Sequence, residues 1–205
     1  MPIEERKKLW RDARSPLMQQ HFFLPELPPS VRLVYEPLSY ENGLHLFDIF
    51  KEDDNDFVDP RFKSVEETED YMACMLEYAQ FSNKRAAFDW LLKCRQTGDY
   101  VGIFHLHDLS NAVFGGANQK ASIGYAIGKK HRGKGYARES MTHFPPFLFD
   151  HSNKTRLLVY TQKSNLNSIR LMKSLNWQQN DDKYVYSAEF SYFELTIQHI
   201  AIENT

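Results

Sequence analysis

Cysteine is scarce in this chain of 205 residues, which contains only Cys74 and Cys94. Neither belongs to a CxxC pair or to a histidine and cysteine cluster with the spacing of zinc ligands, so the sequence supports no metal site and none is expected. The two thiols could form one disulfide, but reduced and half-buried side chains are the simpler interpretation.

Long apolar runs are also missing. No segment approaches the roughly 20 apolar residues that a membrane helix needs, so no membrane partner is expected. Residues 1–16 mix charges of both signs and have no apolar core, which argues against a secretory signal there. We therefore expect a cytoplasmic protein.

An excess of one charge sign is the third absence. The 25 basic and 27 acidic residues leave a net charge of −2, so we expect no nucleic-acid partner. The apolar share of 42% is ordinary for a globular protein. Pro25, Pro28 and Pro29 force an extended path, so we expect residues 1–30 to form an N-terminal extension and residues 31–205 to form one domain.

The spacing of apolar residues from residue 31 onward predicts alternating strands and helices. Predicted strands alternate or form short apolar runs, and predicted helices begin at capping residues such as Ser39 and Ser64. The predicted elements are a strand over 31–36, helices from 39 and 64, strands over 87–94, 100–107 and 122–127, a helix from 136 to about 143, a strand over 156–161, a helix over 167–175, and the last strands within 184–200. This order predicts an α/β fold with helices flanking a mixed sheet.

The glycine-rich loop at residues 128–137, GKKHRGKGYA, gives the strongest indication of function. It leaves a predicted strand and opens a predicted helix. Glycine allows a tight bend close to a ligand, and the helix N-terminus adds unpaired amides and a positive dipole. The basic side chains of Lys129, Lys130, Arg132 and Lys134 strengthen that field. The loop therefore predicts a pyrophosphate site in preference to a solvated turn.

Two nucleotide-binding signatures fit the loop less well. Gly128-xxxx-Gly133-Lys134 matches most of a Walker A sequence, but Gly135 follows where serine or threonine would hold magnesium. A dinucleotide fold would also need a GxGxxG and an acidic residue about 20 positions later, after a second strand. A P-loop-like nucleotide binder therefore stays a minor alternative.

Arg132-Gly-Lys-Gly135-Tyr-Ala137 resembles the pyrophosphate signature Q/R-x-x-G-x-G/A of the GNAT superfamily of N-acetyltransferases. The resemblance covers about residues 31–200 and implies a mixed, mostly antiparallel sheet of six to seven strands flanked by about four helices. Further segments resemble the branch that contains the ribosomal-protein N-terminal acetyltransferases, namely Trp90, Thr97-Gly98-Asp99, Ile123-Gly124-Tyr125, Arg138-Glu139, Asn165-Leu-Asn-Ser168 and Leu175-Asn-Trp177.

The resemblance implies transfer of an acetyl group from acetyl-CoA to a primary amine, by direct attack in a ternary complex. The strand before the loop would separate from its neighbour, and the coenzyme would lie in the cleft between them. Asn165 matches an asparagine that hydrogen-bonds the pantetheine, although it could instead cap the next helix. The residues implied to bind coenzyme are Ile127, Arg132, Gly133, Lys134, Gly135, Tyr136, Ala137 and Asn165.

Ser168 matches a serine that is proposed, in this branch, to protonate the departing CoA thiolate; a helix-capping role is the alternative. The amine must also lose a proton, and the resemblance identifies no base. His105 and His107 lie two residues apart, hence on one face of a strand, and histidine titrates near neutrality, although a solvated strand face would explain them too. Asp89 and Glu77 are further candidates.

The sequence leaves the acceptor open between a small amine, such as a polyamine, and a peptide N-terminus. A CoA-binding module without catalysis is the alternative to an enzyme. Acidic residues between the first two helices would attract a cationic acceptor or are simply solvated. Aromatic residues near the C-terminus would permit strand-edge pairing between two copies, so a monomer or a homodimer is expected. These residues are Asp53, Asp54, Asp56 and Asp59, and Tyr184, Tyr186, Tyr192 and Phe193.

Pro145 and Pro146 fall in the helix that follows the glycine-rich loop. Proline removes a helical donor and clashes with the preceding turn, so we expect a kink or a restart there. Phe144, Phe147 and Phe149 are still expected to pack inward.

Overall fold

The computed structural model describes residues 26–81, 87–107, 119–152, 154–181 and 188–198. These residues form one seven-stranded sheet, with four α-helices in the connections between its strands. The elements are β1 (Leu33–Pro37), α1 (His45–Phe50), α2 (Val65–Phe81), β2 (Phe88–Cys94), β3 (Tyr100–His107), β4 (Lys120–Ile127), α3 (Tyr136–His151), β5 (Arg156–Gln162), α4 (Leu166–Ser174), β6 (Gln178–Gln179) and β7 (Phe190–Thr196). The predicted α/β fold class is confirmed.

The sheet has the strand order β1-β2-β3-β4-β5-β7-β6. All neighbouring strands are antiparallel except β4 and β5, which run parallel. The β4–β5 pairing extends only from Lys120 opposite Arg156 to Ser122 opposite Leu158. Beyond Ser122 the two strands separate, which opens the sheet at its centre, next to the glycine-rich loop.

Two apolar layers cover the two faces of the sheet. Successive side chains of β3 point to opposite faces of the sheet. Phe104 packs in the layer that contains Phe144 of α3, and Ile103 packs in the layer that contains Phe50 of α1. His105 has the same parity as Ile103, so its side chain is on the face covered by α1 and α2. Burial of these apolar side chains at roughly 25 cal/mol per Å² is the main term that holds helices and sheet together.

Helix α3 is continuous from Tyr136 to His151 and does not end near residue 143. Of the predicted kink or restart at Pro145 and Pro146, the restart is therefore wrong, and the kink stays a prediction. The prolines remove two amide donors, but the neighbouring phenylalanines are buried in the core, and that burial holds the helix in place. The expected inward packing of Phe144, Phe147 and Phe149 is confirmed.

The turns and helix caps include two residues with a left-handed backbone and two serines that were predicted to start helices. Gly98, in the turn between β2 and β3, has φ 77°, and Asn176 after α4 has φ 58°, so both adopt the left-handed conformation. Ser64 Oγ accepts a hydrogen bond of 3.1 Å from the Glu67 amide, as a capping serine does. Ser39 does not start an α-helix directly. Its hydroxyl accepts from the Glu41 amide (3.2 Å) in a turn, and α1 begins only at His45.

The C-terminal aromatics are not edge residues where they are described. Tyr192 and Phe193 are buried on β7, which lies between β5 and β6, so the expected strand-edge exposure of these two is wrong. Tyr184 and Tyr186 lie outside the described residues. Both cysteines are free thiols. Among the described helices none is long and apolar enough to cross a membrane.

Candidate active site

A cleft of about 940 Å³ occupies the gap between β4 and β5. Its walls are Tyr125 to Ile127 of β4, Val159 to Gln162 of β5, the glycine-rich loop and the first turn of α4. The volume is within the range of about 300–1,000 Å³ that is common for small-molecule sites. The cleft therefore brings the loop and the second motif predicted from the sequence to one place.

The glycine-rich loop presents its backbone to this cleft. Gly133 has φ 74° and Gly135 has φ 83°, a region that residues with a Cβ rarely adopt. The first amide that bonds back to the residue before α3 is that of Glu139, which donates to the Gly135 carbonyl (3.0 Å). The amides of the preceding turn thus have no intrahelical acceptor, an arrangement that together with the helix dipole is typical of anion sites at helix N-termini.

The side chain of Arg132 holds the loop from behind. Its Nε donates to the Ile127 carbonyl (2.9 Å), and its guanidinium pairs with Asp53, whose side chain is fully buried. Asp53 also accepts a hydrogen bond of 3.1 Å from the Lys129 amide. The Arg132 guanidinium is therefore bound within the protein, and its contribution to the site is to fix the loop.

The acidic residues between α1 and α2 contact basic side chains of the protein, including those of the glycine-rich loop. Besides the buried Asp53, Asp54 pairs with Lys129 (3.0 Å), and Asp59 pairs with Arg61 (2.6 Å). Three of the four carboxylates therefore have a basic partner within the protein, which favours a structural role for them, and attraction of a cationic acceptor stays a prediction. Asp56 is exposed.

The remaining predicted loop residues have distinct positions. The Lys134 carbonyl accepts from Arg32 Nη1 (2.8 Å), which ties the loop to the segment before β1. The ring of Tyr136 packs partly buried against the core, under the Arg32 guanidinium at 5.0 Å. Ala137 lines the cleft in the first turn of α3.

The second motif places a pair of hydroxyls in the cleft. Asn165 caps α4, because its side chain accepts from the Ser168 amide (3.2 Å). Ser168 Oγ is therefore not the cap of its own helix, and it lies 3.1 Å from the Tyr125 hydroxyl on β4. Burial raises the pKa of Tyr125, and the Ser168 hydrogen bond only partly opposes this, so the phenol stays protonated at neutral pH.

A second polar cluster lies on the other face of the sheet. His105 Nδ1 is 2.7 Å from Asp89 Oδ1, and the buried Asp89 also accepts from the Tyr71 hydroxyl (2.9 Å). Burial opposes ionisation of Asp89, but the charge and hydrogen bond of His105 outweigh it and lower the pKa of the carboxyl. The His107 ring is 5.6 Å from that of His105. The side chain of Glu77 is outside the described part of the chain.

The His105 side chain is 19% exposed, and its hydrogen-bond partners among the described residues are on one side of the ring. Both hydrogen bonds that the described residues make to it are at Nδ1, with Asp89 and, at 3.5 Å, with Tyr71. Possible ligand atoms of Asp89, His105 and His107 all lie within 4.8 Å of one another, a spacing that a metal ion could also use. The short contact between Asp89 and His105 is that of a hydrogen-bonded dyad.

The sequence profile described as "Acetyltransferase (GNAT) domain" matches residues 32–178, which is most of the chain and contains the loop, both polar clusters and all of the cleft lining except Phe190. The chain belongs to the GNAT acetyltransferase family. The P-loop alternative is thereby removed, and the use of acetyl-CoA is a property of the family.

Individual relatives of this GNAT chain are distant. The uncharacterized N-acetyltransferase p20 of Bacillus licheniformis is 36% identical over 62 residues, which span 30% of this chain and about a third (35%) of that relative. RimL, a ribosomal L7/L12 α-N-protein acetyltransferase solved with coenzyme A, has a TM-score of 0.63 at 16% identity, over 83% of this chain and 97% of that chain. The spermidine/spermine N-acetyltransferase SpeG from Vibrio cholerae has a TM-score of 0.62 at 10% identity, over 85% and 98%. Both structures are similar in fold.

The cleft of this GNAT chain fits the diphosphate and the pantetheine arm of acetyl-CoA. A Cβ built on Gly133 would meet no protein atom within 4 Å, so the loop backbone is accessible from the cleft. Unpaired amides at the helix N-terminus suit the diphosphate, and the separated strand edge suits the amides of pantetheine. Two residues of this arrangement, Tyr125 and Tyr71, were not assigned roles from the sequence. Asp89 was a candidate base, and the structure places it beside His105 as its hydrogen-bond partner.

Proposed function

We propose that this GNAT chain transfers an acetyl group from acetyl-CoA to a primary amine in a ternary complex. The observation that carries the proposal is the separation of β4 from β5 beyond Ser122, directly beside a loop whose amides face the opening. In this proposal acetyl-CoA is the second substrate and supplies the activated thioester.

The glycine-rich loop holds the coenzyme by its diphosphate. The amides from Gly133 to Ala137 and the dipole of α3 bind the negative charge, and Lys134 adds a basic side chain. The exposed edge of β4 up to Ile127 pairs with the pantetheine. Asn165, at the mouth of the cleft, remains a predicted pantetheine contact in addition to its capping bond.

The hydroxyl pair of Tyr125 and Ser168 acts on the leaving group. When the amine nitrogen bonds to the thioester carbonyl carbon and the carbon–sulfur bond breaks, the sulfur takes the electron pair and needs a proton. Ser168 donates it and is resupplied by the protonated Tyr125 at 3.1 Å. The pair thus couples departure of the thiol to a proton source that is already in place.

His105 takes the proton that the amine loses. With Nδ1 hydrogen-bonded to Asp89, the ring has a fixed orientation and offers Nε2 as the base, while the Asp89 carboxylate stabilises the imidazolium that forms. Asp89 and Tyr71 act through His105 and are positioning residues. His107 is the neighbouring alternative base on the same strand face.

The test is a comparison of His105→Gln with His107→Gln by steady-state kinetics over pH 5.5 to 9. We expect His105→Gln to lower kcat/KM about 10²-fold to 10³-fold and to abolish the rise in rate with pH, with little change in acetyl-CoA affinity. His107→Gln should retain that pH profile, and the wild type should retain its activity in excess EDTA. An unchanged kcat/KM in His105→Gln would reject the base assignment. Acetyl-CoA binding without turnover across a broad amine panel would reject acetyl transfer.

A further inference from the structure

The open side of the cleft has aromatic and apolar walls. Tyr160 of β5 is 55% exposed. It is two residues after Leu158, so both side chains are on the same face of the sheet. Leu158 pairs with Ser122 of β4, and Gly124, two residues further along β4, pairs with His105, so this is the face that carries His105. The Phe190 ring packs edge-on against that of Tyr160 at 5.9 Å. Phe57 and Val58, from the connection between α1 and α2, line the same cleft.

Carboxylates are absent from this lining as far as the described residues go. The permanently charged side chains that line the cleft are the arginines Arg138, Arg170 and Arg132, the last of which is paired with Asp53. The nearby acidic side chains of Asp53 and Asp54 are paired with the basic loop. Arg138 and Arg170 suit the phosphates of the coenzyme, and the described lining offers no carboxylate to pair with the second ammonium group of a polycation.

Gly124 connects these walls to the proposed base. It lines the cleft opposite His105 in the β3–β4 ladder, and a Cβ built on it would lie 3.7 Å from His105 Cδ2. The missing side chain therefore leaves room for an amine between the aromatic walls and the imidazole.

We propose that the acceptor is a singly charged primary amine with an apolar or aromatic group one or two carbons from the nitrogen, and that polyamines are excluded. The inference rests on the proposed acetyl transfer. The apolar group packs between Tyr160, Phe190 and Phe57, which lose contact with water as it binds. An α-amino group, with a pKa near 8 in peptides, is also deprotonated more readily by one imidazole than an alkylamine near 10.4. A peptide N-terminus with an apolar first side chain and a small arylalkylamine share the single primary amine and the apolar group beside it, and only the peptide also has the lower amine pKa.

The test measures CoA release by the wild-type protein with phenethylamine, ethylamine, a tetrapeptide amide beginning with Phe, the same peptide beginning with Asp, and spermidine. We expect kcat/KM to be at least about tenfold higher for phenethylamine than for ethylamine or spermidine, and higher for the Phe peptide than for the Asp peptide. The comparison of phenethylamine with ethylamine tests a small-molecule acceptor, and the comparison of the two peptides tests a peptide N-terminus. Equal or faster turnover of spermidine would overturn the acceptor proposal while leaving acetyl transfer intact. If acetyl-CoA binds by calorimetry but no amine reacts, both proposals fail.

A variant at the exposed wall isolates the contact. Tyr160→Ala should reduce the ratio of kcat/KM for phenethylamine over ethylamine about tenfold, because it removes packing that only the aromatic acceptor uses. Tyr160→Glu should raise the rate with spermidine relative to the wild type. Val65→Ala, a change at an exposed apolar residue on α2, is the matched control and should leave the ratio unchanged. A wild-type ratio in Tyr160→Ala would contradict the proposed acceptor pocket.

Discussion

The Tyr125 hydroxyl and Ser168 Oγ lie 3.1 Å apart, although the residues are 43 positions apart in the chain and belong to β4 and α4. Their contact crosses the cleft at the point where the two strands of the sheet no longer pair. It therefore connects the architecture of the open sheet to the chemistry of the leaving group.

Ser168→Ala and Tyr125→Phe should each lower kcat about tenfold to a hundredfold, because each removes one member of the proton-donating pair. The dissociation constant of acetyl-CoA should change less than about twofold, since neither change alters the loop amides. In the double variant we expect a loss smaller than the product of the two single losses, because the hydroxyls act as one unit. Full multiplicativity, measured by single-turnover kinetics, would show that they act independently.

Gly135→Asp should abolish acetyl-CoA binding. The residue has φ 83°, so a side chain there adds strain of about 1–2 kcal/mol and places a negative charge at the anion site. Gly98→Asp is a matched control, because Gly98 has φ 77° but is in the β2–β3 turn, outside the cleft. Both variants should show a similar loss of thermal stability. Calorimetric titration should detect normal binding only in Gly98→Asp, and equal affinities in the two would contradict the loop assignment.

Asp53→Asn should weaken acetyl-CoA binding even though the side chain is buried behind the loop. The change leaves Arg132 without its ionic partner and loosens the contact to the Lys129 amide, at a cost of about 2–3 kcal/mol in unfolding free energy, because Arg132 is only partly exposed. Asp54→Asn removes a solvent-exposed pair with Lys129 and is the control. Denaturant unfolding and titration with acetyl-CoA should separate the two variants; identical behaviour would show that the Asp53 pair does not hold the loop.

Glu139→Gln should destabilise the protein at neutral pH by about 1–2 kcal/mol, discounted for the exposure of Arg32. Burial opposes ionisation of Glu139, but hydrogen bonds from Ser30 and Arg32 outweigh it and lower the pKa of the carboxyl. A lowered folded-state pKa gives stability that is complete above the unfolded value near 4.3 and is lost as the pH falls through the folded value. The Tm difference between wild type and variant should therefore shrink below about pH 4, and a pH-independent difference would contradict this.

The glycine-rich loop could be predicted because its properties are local. Left-handed glycines and a helix start depend on a few consecutive residues, and the structure has both where the sequence indicates them. The length of α3 could not be predicted from the sequence, because the burial of Phe144 and Phe147 in the core outweighs the local effect of Pro145 and Pro146 on the helix.

The Asp89–His105 pair depends on strand register. Lys93 pairs with Tyr100, but a one-residue shift between Leu92 and Lys93 places Leu92 opposite Gly102, so that Asp89 faces His105. Without that shift Asp89 would face Phe104, and its carboxyl would have no imidazole beside it. Neither hydrophobic pattern nor turn chemistry signals the irregularity, so the dyad was not predictable from the sequence.

Calorimetric titration of the purified protein with acetyl-CoA, with magnesium-ATP as the parallel control, tests the central claim most directly. Binding of acetyl-CoA at one site per chain, without a response to ATP, is the predicted result, because the loop amides and the cleft between β4 and β5 match that ligand. Absence of saturable acetyl-CoA binding would contradict the assignment of the cleft and every catalytic role that depends on it.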